Sequence, residues 1–196
     1  MTTELVKNAF LRQVMEQSKI YEGFCLQKNL SEQLISIYWR EQQRIMGLPS
    51  YGFDKFPDGP ANRLHKYNIF KLSDFAIQEI KATLNDLIFG RKRSQVSCWI
   101  TGWYNFLESG ESLGWHSHEE DHQAFVSGLI FLSSGKANLL FLDVEQKVRS
   151  LKDNKGHLCL FHTGLDHATD ISQDSRLSLA FDIQVGTQKS DLWCPL

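Results

Sequence analysis

Long apolar runs are missing from this chain of 196 residues. A membrane-spanning helix needs about 20 apolar residues in succession, so no transmembrane segment is expected. The first residues do not supply a substitute, because Glu4, Lys7, Arg12, Glu16 and Lys19 interrupt the apolar positions that a signal peptide or anchor keeps continuous. An excess of either charge is lacking too. Lys plus Arg total 21 against 23 Asp plus Glu, a formal charge of −2, which leaves no general electrostatic case for nucleic acid or an anionic membrane surface. Arg91-Lys92-Arg93 reads as a solvated run complementing a helix C-terminus. Cysteine is sparse: Cys25, Cys98, Cys159 and Cys194 are widely spread with no C-x-x-C, a pattern of reduced thiols that predicts a cytoplasmic protein. Neither G-x-S-x-G, nor a phosphate-binding loop, nor a dinucleotide fingerprint occurs, and there is no internal repeat.

What is present changes character near residue 93. The whole chain, 1–196, reads as a single domain, with a helical support region over 1–92 and a β core over 93–196. Val6, Phe10 and Val14 predict a first helix over about Glu4–Ser18, with Thr3 as its cap. A second begins after Ser31, carries Leu34, Ile35, Tyr38, Ile45 and Met46, and stops at Gly47 and Pro49. Ser73 is the expected cap of a third, whose apolar face is Ile77, Ile80, Leu84, Leu87 and Ile88 and which ends at Gly90. The Gly- and Pro-bearing stretch Tyr51–Lys71 is irregular, with one strand at Tyr67–Phe70.

From Val96 the period shortens. Val96–Phe106, Ala124–Leu132, Asn138–Leu142, Val148–Leu151, Leu158–Phe161 and Leu177–Val185 are strand-like, separated by turn clusters such as Ser133-Ser134-Gly135-Lys136. Short strands at this spacing predict a mainly β, α+β fold: a jelly roll, or double-stranded β-helix of cupin-like form, with the N-terminal helices packed on its outside.

The chemistry sits in Gly114-Trp115-His116-Ser117-His118-Glu119-Glu120. On extended backbone, residues two apart share a face, so His116 and His118 can address one ion, and neutral imidazole suits iron, zinc, copper or nickel. A jelly roll brings the strand that follows this motif in space next to the turn holding Thr163-Gly164-Leu165-Asp166-His167, so His167 can complete a facial site. Shifting the register by two gives His118, Glu120 and His167 instead. Arg176 opens the next strand facing the same interior, where a guanidinium can grip a carboxylate in bidentate fashion. Tyr104 and Asn105 lie on the strand leading to the first histidine, and one of them must face inward.

Over roughly Ser97–Gln184 the chain resembles the Fe(II)/2-oxoglutarate-dependent oxygenases. The residues that carry the likeness are His116-Ser117-His118, Ser127-Gly128-Leu129-Ile130-Phe131-Leu132, Gly156–Phe161, His167 and Arg176-Leu177-Ser178. It departs from the commoner H-x-D or H-x-E pattern of that superfamily by carrying a histidine at 118. The resemblance implies an enzyme that binds Fe(II), 2-oxoglutarate and O2. His116, His118 and His167 would be the metal ligands, with Glu120 the alternative, and Arg176, Ser178, Asn105 and Tyr104 would contact the co-substrate. The implied reaction oxidises an organic substrate, usually by hydroxylation, with release of succinate and CO2. Its substrate would be a small molecule, an amino acid or a peptide, and a homodimer is the commonest assembly for such a chain. Two other readings fit parts of the pattern. A cupin-type metal enzyme without 2-oxoglutarate would use the same histidines together with His122, Gly156 and Gly164 but would have no need of Arg176. A non-catalytic metal-binding β-sandwich would hold a static ion, although no cysteine adjoins the H-x-H to close a structural site.

Overall fold

The computed structural model describes residues 20–48, 65–89, 97–118, 124–187 and 190–196. The expected first helix, Gly90, Arg91-Lys92-Arg93, Glu120 and His122 fall outside these residues. Among the described residues no helix is long and apolar enough to cross a membrane.

The chain enters with β1 (Ile20–Cys25), then α1 (Lys28–Met46), a single 3-10 turn at Ile69–Lys71 and α2 (Phe75–Phe89). It continues with β2 (Cys98–Leu107), β3 (Ala124–Phe131), β4 (Asn138–Leu142), β5 (Val148–Lys152), β6 (His157–His162), β7 (His167–Thr169), β8 (Arg176–Val185) and β9 (Cys194–Pro195). Two antiparallel sheets result. The larger has the order β1-β6-β3-β8-β2-β9 and the smaller the order β5-β4-β7. This two-sheet arrangement, with helices on one outer face, is the jelly roll that the strand spacing predicts.

Alternation along β8 explains why nearly the whole strand is buried. Leu177, Leu179, Phe181 and Ile183 point to the helix side, where they share a core with Leu34, Ile37, Ile77, Ile80, Leu84 and Ile88. Ala180, the next position over, belongs to a second core between the sheets with Trp103, Leu129, Phe131, Phe141 and Phe161. A sheet covered on both faces has no solvent side, so its strands read as long apolar runs in which polar residues stand out. Gly128 in β3 leaves room for the side chains of its cross-strand neighbours: a Cβ there would meet Phe181 Cζ at 2.2 Å and Leu160 Cδ2 at 2.6 Å.

Four local expectations differ from the structure. α1 starts at Lys28, before Ser31, and its buried face is Leu34, Ile37, Tyr38, Glu41 and Ile45, while Met46 is exposed. α2 follows Asp74, whose carbonyl accepts from Ile77 and Gln78 N–H, so Asp74 and not Ser73 occupies the cap position. Tyr67–Phe70 is not a strand: the Asn68 side chain accepts from Phe70 N and folds the chain into a 3-10 turn. β1, β7 and β9 were not expected from the sequence pattern. β1 joins the large sheet beside β6, so β structure begins well before residue 93.

Candidate metal centre and co-substrate site

His116 lies just after the loop that leaves β2, and His167 is the first residue of β7. They form a two-way antiparallel bridge, His116 N to His167 O at 3.0 Å and His167 N to His116 O at 2.9 Å. His118 is pinned beside them by its N–H to Thr163 O at 2.9 Å. Backbone pairing therefore places the three imidazoles together. Their ring centroids are 4.2 Å (116 to 167), 5.1 Å (118 to 167) and 5.5 Å (116 to 118) apart, and one ligand atom from each lies within 4.8 Å of the others. Such a group can hold a metal ion.

Each ring has its other nitrogen occupied. His116 Nδ1 bonds Gly114 O at 2.8 Å, His167 Nδ1 bonds Leu165 O at 2.9 Å, and His118 Nδ1 bonds Asp182 Oδ1 at 2.8 Å. Oxygens of carbonyls and carboxylates accept, so Nδ1–H donates in every case and Nε2 keeps its lone pair for an ion. Burial favours the same neutral form. His167 packs against Phe161 and Phe141, with centroids at 4.8 and 6.3 Å. Loss of water pushes its pKa well below the ordinary histidine value, with His116 and His118 adding to the effect. Burial lowers that of His116 too.

The inward row of β8 continues from Asp182 through Ala180 and Ser178 to Arg176. Arg176 is 1% exposed. Its Nε lies 3.7 Å from Asp153 Oδ2, too far for a hydrogen bond, and its Cζ sits 5.4 Å from the Phe131 ring centroid. Asp153 is already engaged by Gly135 N at 2.8 Å and Ser134 Oγ at 3.2 Å. Arg176 Nε and Nη2, Ser178 Oγ and Asn105 Oδ1 are all buried without a hydrogen-bond partner. Asn105 faces Ser178 directly across the β2–β8 ladder. Leaving buried polar atoms unpaired costs about 1–3 kcal/mol each, so orphans on one interior wall mark a place shaped for a polar ligand. Desolvation lowers the Arg176 pKa to about 10, with Asp153 opposing the shift, and the guanidinium stays charged at neutral pH.

Tyr104 does not belong to this wall. It is one residue out of phase with Asn105, points to the helix side, and donates its hydroxyl to Leu34 O at 2.8 Å, so, against expectation, it does not face the co-substrate wall. Trp103, in phase with Asn105, lies in the inter-sheet core, with its ring 5.8 Å from His118. Trp115 is 48% exposed. His162 ends β6 and accepts from Gly164 N at 3.1 Å, which shapes the turn before His167. His157 is exposed.

Three residues take up roles at the site that the sequence pattern does not assign. Asp182 and Ser127 stand behind His118, and His65 packs on Trp103 with centroids 4.3 Å apart. Asp182 did carry a signal, being a charge at an inward position of the apolar run Leu177–Val185.

The fold is that of the Fe(II)/2-oxoglutarate oxygenases. A prolyl-4-hydroxylase from Pseudomonas putida aligns over 89% of this chain and 98% of its own, with TM-score 0.64 and 13% identity. The prolyl hydroxylase of Trichoplax adhaerens, solved with a hypoxia inducible factor oxygen degradation domain peptide fragment, covers 92% of this chain and 90% of its own at TM-score 0.62 and 16% identity. The non-haem α-ketoglutarate-dependent epimerase SnoN from nogalamycin biosynthesis covers 90% and 82% at TM-score 0.58 and 10% identity. At these identities the likeness is one of fold. No protein-family model and no curated protein sequence matches the chain.

Proposed function

We propose that this chain is an Fe(II)- and 2-oxoglutarate-dependent oxygenase, with His116, His118 and His167 as metal ligands and Arg176, Ser178 and Asn105 as the co-substrate's carboxylate site. One observation carries the reading: a convergent imidazole trio and a buried guanidinium whose Nε and Nη2 make no hydrogen bond share the same interior between the sheets. A cupin-type enzyme without 2-oxoglutarate has use for the first and none for the second.

Held there, iron and 2-oxoglutarate would supply O2-dependent oxidation of an unactivated C–H bond, with O2 the oxidant and the co-substrate oxidised to succinate and CO2. The chain's own residues supply the rest. Three Nδ1–H donors fix the imidazole tautomers, which would leave the Nε2 lone pairs to hold the ion. Arg176 offers Nε and Nη2 to a carboxylate, Ser178 offers its hydroxyl, and the Asn105 amide can turn its Nδ2 towards the same group, since amide orientation follows the partner present. Phe131, Phe141, Phe161 and Leu129 line the same space and exclude water, which strengthens each of these contacts.

On this reading residues 93–196 hold the proposed metal and co-substrate ligands, while α1 and α2 support the large sheet from its helix side. The substrate is a small molecule, an amino acid or a peptide side chain; the Trichoplax neighbour solved with a peptide fragment supports including peptides. Its four free cysteines suit the reducing cytoplasm. Glu120 remains the alternative third ligand.

Anaerobic Fe(II) and 2-oxoglutarate should produce the weak visible charge-transfer band of the chelate. His167→Ala should abolish it, and Arg176→Ala should raise the 2-oxoglutarate concentration needed by about ten- to a hundredfold, the worth of losing charged hydrogen bonds. Unchanged 2-oxoglutarate affinity in Arg176→Ala would point to the cupin-type enzyme. A Glu120→Ala variant that loses the band while His116→Ala keeps it would move the ligand set to His118, Glu120 and His167.

A further inference from the structure

We propose that Asp182 is a positioning residue for His118, holding its tautomer and placing a carboxylate directly behind the metal centre, with Ser127 locking that carboxylate in place. The inference rests on His118 being a metal ligand and goes beyond it.

The three histidines are not supported alike. His116 and His167 each donate Nδ1–H to the carbonyl two residues before them, a contact that travels with the local backbone. His118 instead donates to a side chain from β8, at a sequence separation of 64 residues. Asp182 is 6% exposed and stands opposite Ser127 on β3. Ser127 Oγ donates to Asp182 Oδ1 at 2.6 Å and lies 3.2 Å from His118 Nδ1. The carboxylate oxygen therefore receives two donors, Ser127 holding it in place and His118 unable to rotate its Nδ1 away without losing the other bond.

An acid on a strand covered on both sides is expensive to keep, and replacing buried ion pairs with apolar groups often costs a fold nothing. What Asp182 gives in return is electrostatic. Three neutral imidazoles leave a dication's charge whole, and a carboxylate hydrogen-bonded to one of them returns part of a negative charge through the ring and raises its basicity. Asp182 thus acts on the ion through His118 without touching it.

Co(II) affinity of the metal-free full chain, measured by competition with a chromophoric chelator and without co-substrate, tests this. Asp182→Ala should bind Co(II) about 10–100-fold more weakly. Asp182→Asn, which keeps an acceptor and loses the charge, should show a smaller loss and serves as the test if the alanine variant fails to fold. In a His118→Ala background the change at 182 should add no further loss. Nitrogen–proton correlation spectra of the metal-free imidazoles should show His118 in its Nδ1–H form in the wild type and in mixed forms in Asp182→Ala. Wild-type Co(II) affinity in Asp182→Ala, or an equal loss with and without His118, would overturn the assignment while leaving the metal centre standing. Failure of the unaltered protein to bind Co(II), or binding unaffected by His116→Ala and His167→Ala, would overturn both.

Discussion

At the residue scale, one step of strand alternation decides what a side chain does. Tyr104 and Asn105 are neighbours on β2, yet one bonds the carbonyl of Leu34 and the other faces Ser178 between the sheets. Burial raises the pKa of the Tyr104 phenol beyond its ordinary range, so it serves only as a neutral donor to the helix. Tyr104→Phe should therefore lower stability by about 1 kcal/mol in denaturant titration, the net worth of one hydrogen bond, and leave 2-oxoglutarate affinity unchanged. Ser178→Ala should do the reverse, weakening 2-oxoglutarate about two- to tenfold with little effect on stability. A Tyr104→Phe variant that binds the co-substrate poorly would contradict this division. The sequence could show that 104 and 105 face opposite ways and that 176 and 178 face the same way. It could not show which face is inward, because both sides of this sheet are apolar and hydrophobic alternation vanishes.

At the scale of elements, α1 is fastened to the start of α2 by charge as well as by packing. Arg40 donates to both carboxylate oxygens of Asp74 at 2.8 Å and to Glu41 Oε1 at 2.9 Å, while Arg44 Nε reaches Glu41 Oε2 at 2.6 Å. Arg40's hydrogen bonds hold Asp74 below its ordinary value of 3.8. For Glu41 burial pushes the pKa up, but the two guanidinium contacts together outweigh it and the group ends below 4.5. A depressed pKa in the folded state means that the unfolded chain takes up protons first as acid is added. The stabilisation is therefore complete above the unfolded values near 4 and is lost as pH falls through the folded ones. Arg40 and Asp74 are 51% and 27% exposed, so Arg40→Ala should cost only about 1 kcal/mol near neutral pH. The gap between variant and wild type should close in urea unfolding as pH falls through the lowered folded-state values of these carboxyls; a gap independent of pH would rule out the ion pair as its cause. Helices of this kind were legible because their apolar positions recur at three and four. β7 and β9 were not, since strands of three and two residues carry no period and exist only through the ladders they join.

Across the whole molecule, the proposed ligands are distributed so that no single element holds them. His167 opens a strand of the small sheet, His116 and His118 come from the segment bridged to it, and Arg176 and Asp182 belong to the large sheet. The spacing of H-x-H, His167 and Arg176 along the chain was readable, whereas the links from His118 to Asp182 and from Asn105 to Ser178 depend on strand register, which no local pattern specifies. An ion held by all three histidines, with His118 tied to Asp182, joins the two sheets where their cores meet. Binding only to the folded chain, it should stabilise by about 2.7 kcal/mol at roughly a hundredfold excess over its Kd, a rise of about 5–10 °C in Tm for a chain of this size. Co(II) or anaerobic Fe(II) should produce that rise and a chelator should reverse it. His167→Ala should eliminate it, because the remaining two imidazoles sit on one segment and no longer span the bridge to β7. Tyr104→Phe should start from a lower Tm and climb by the same amount, since its loss lies on the helix side of the large sheet and leaves the metal centre intact.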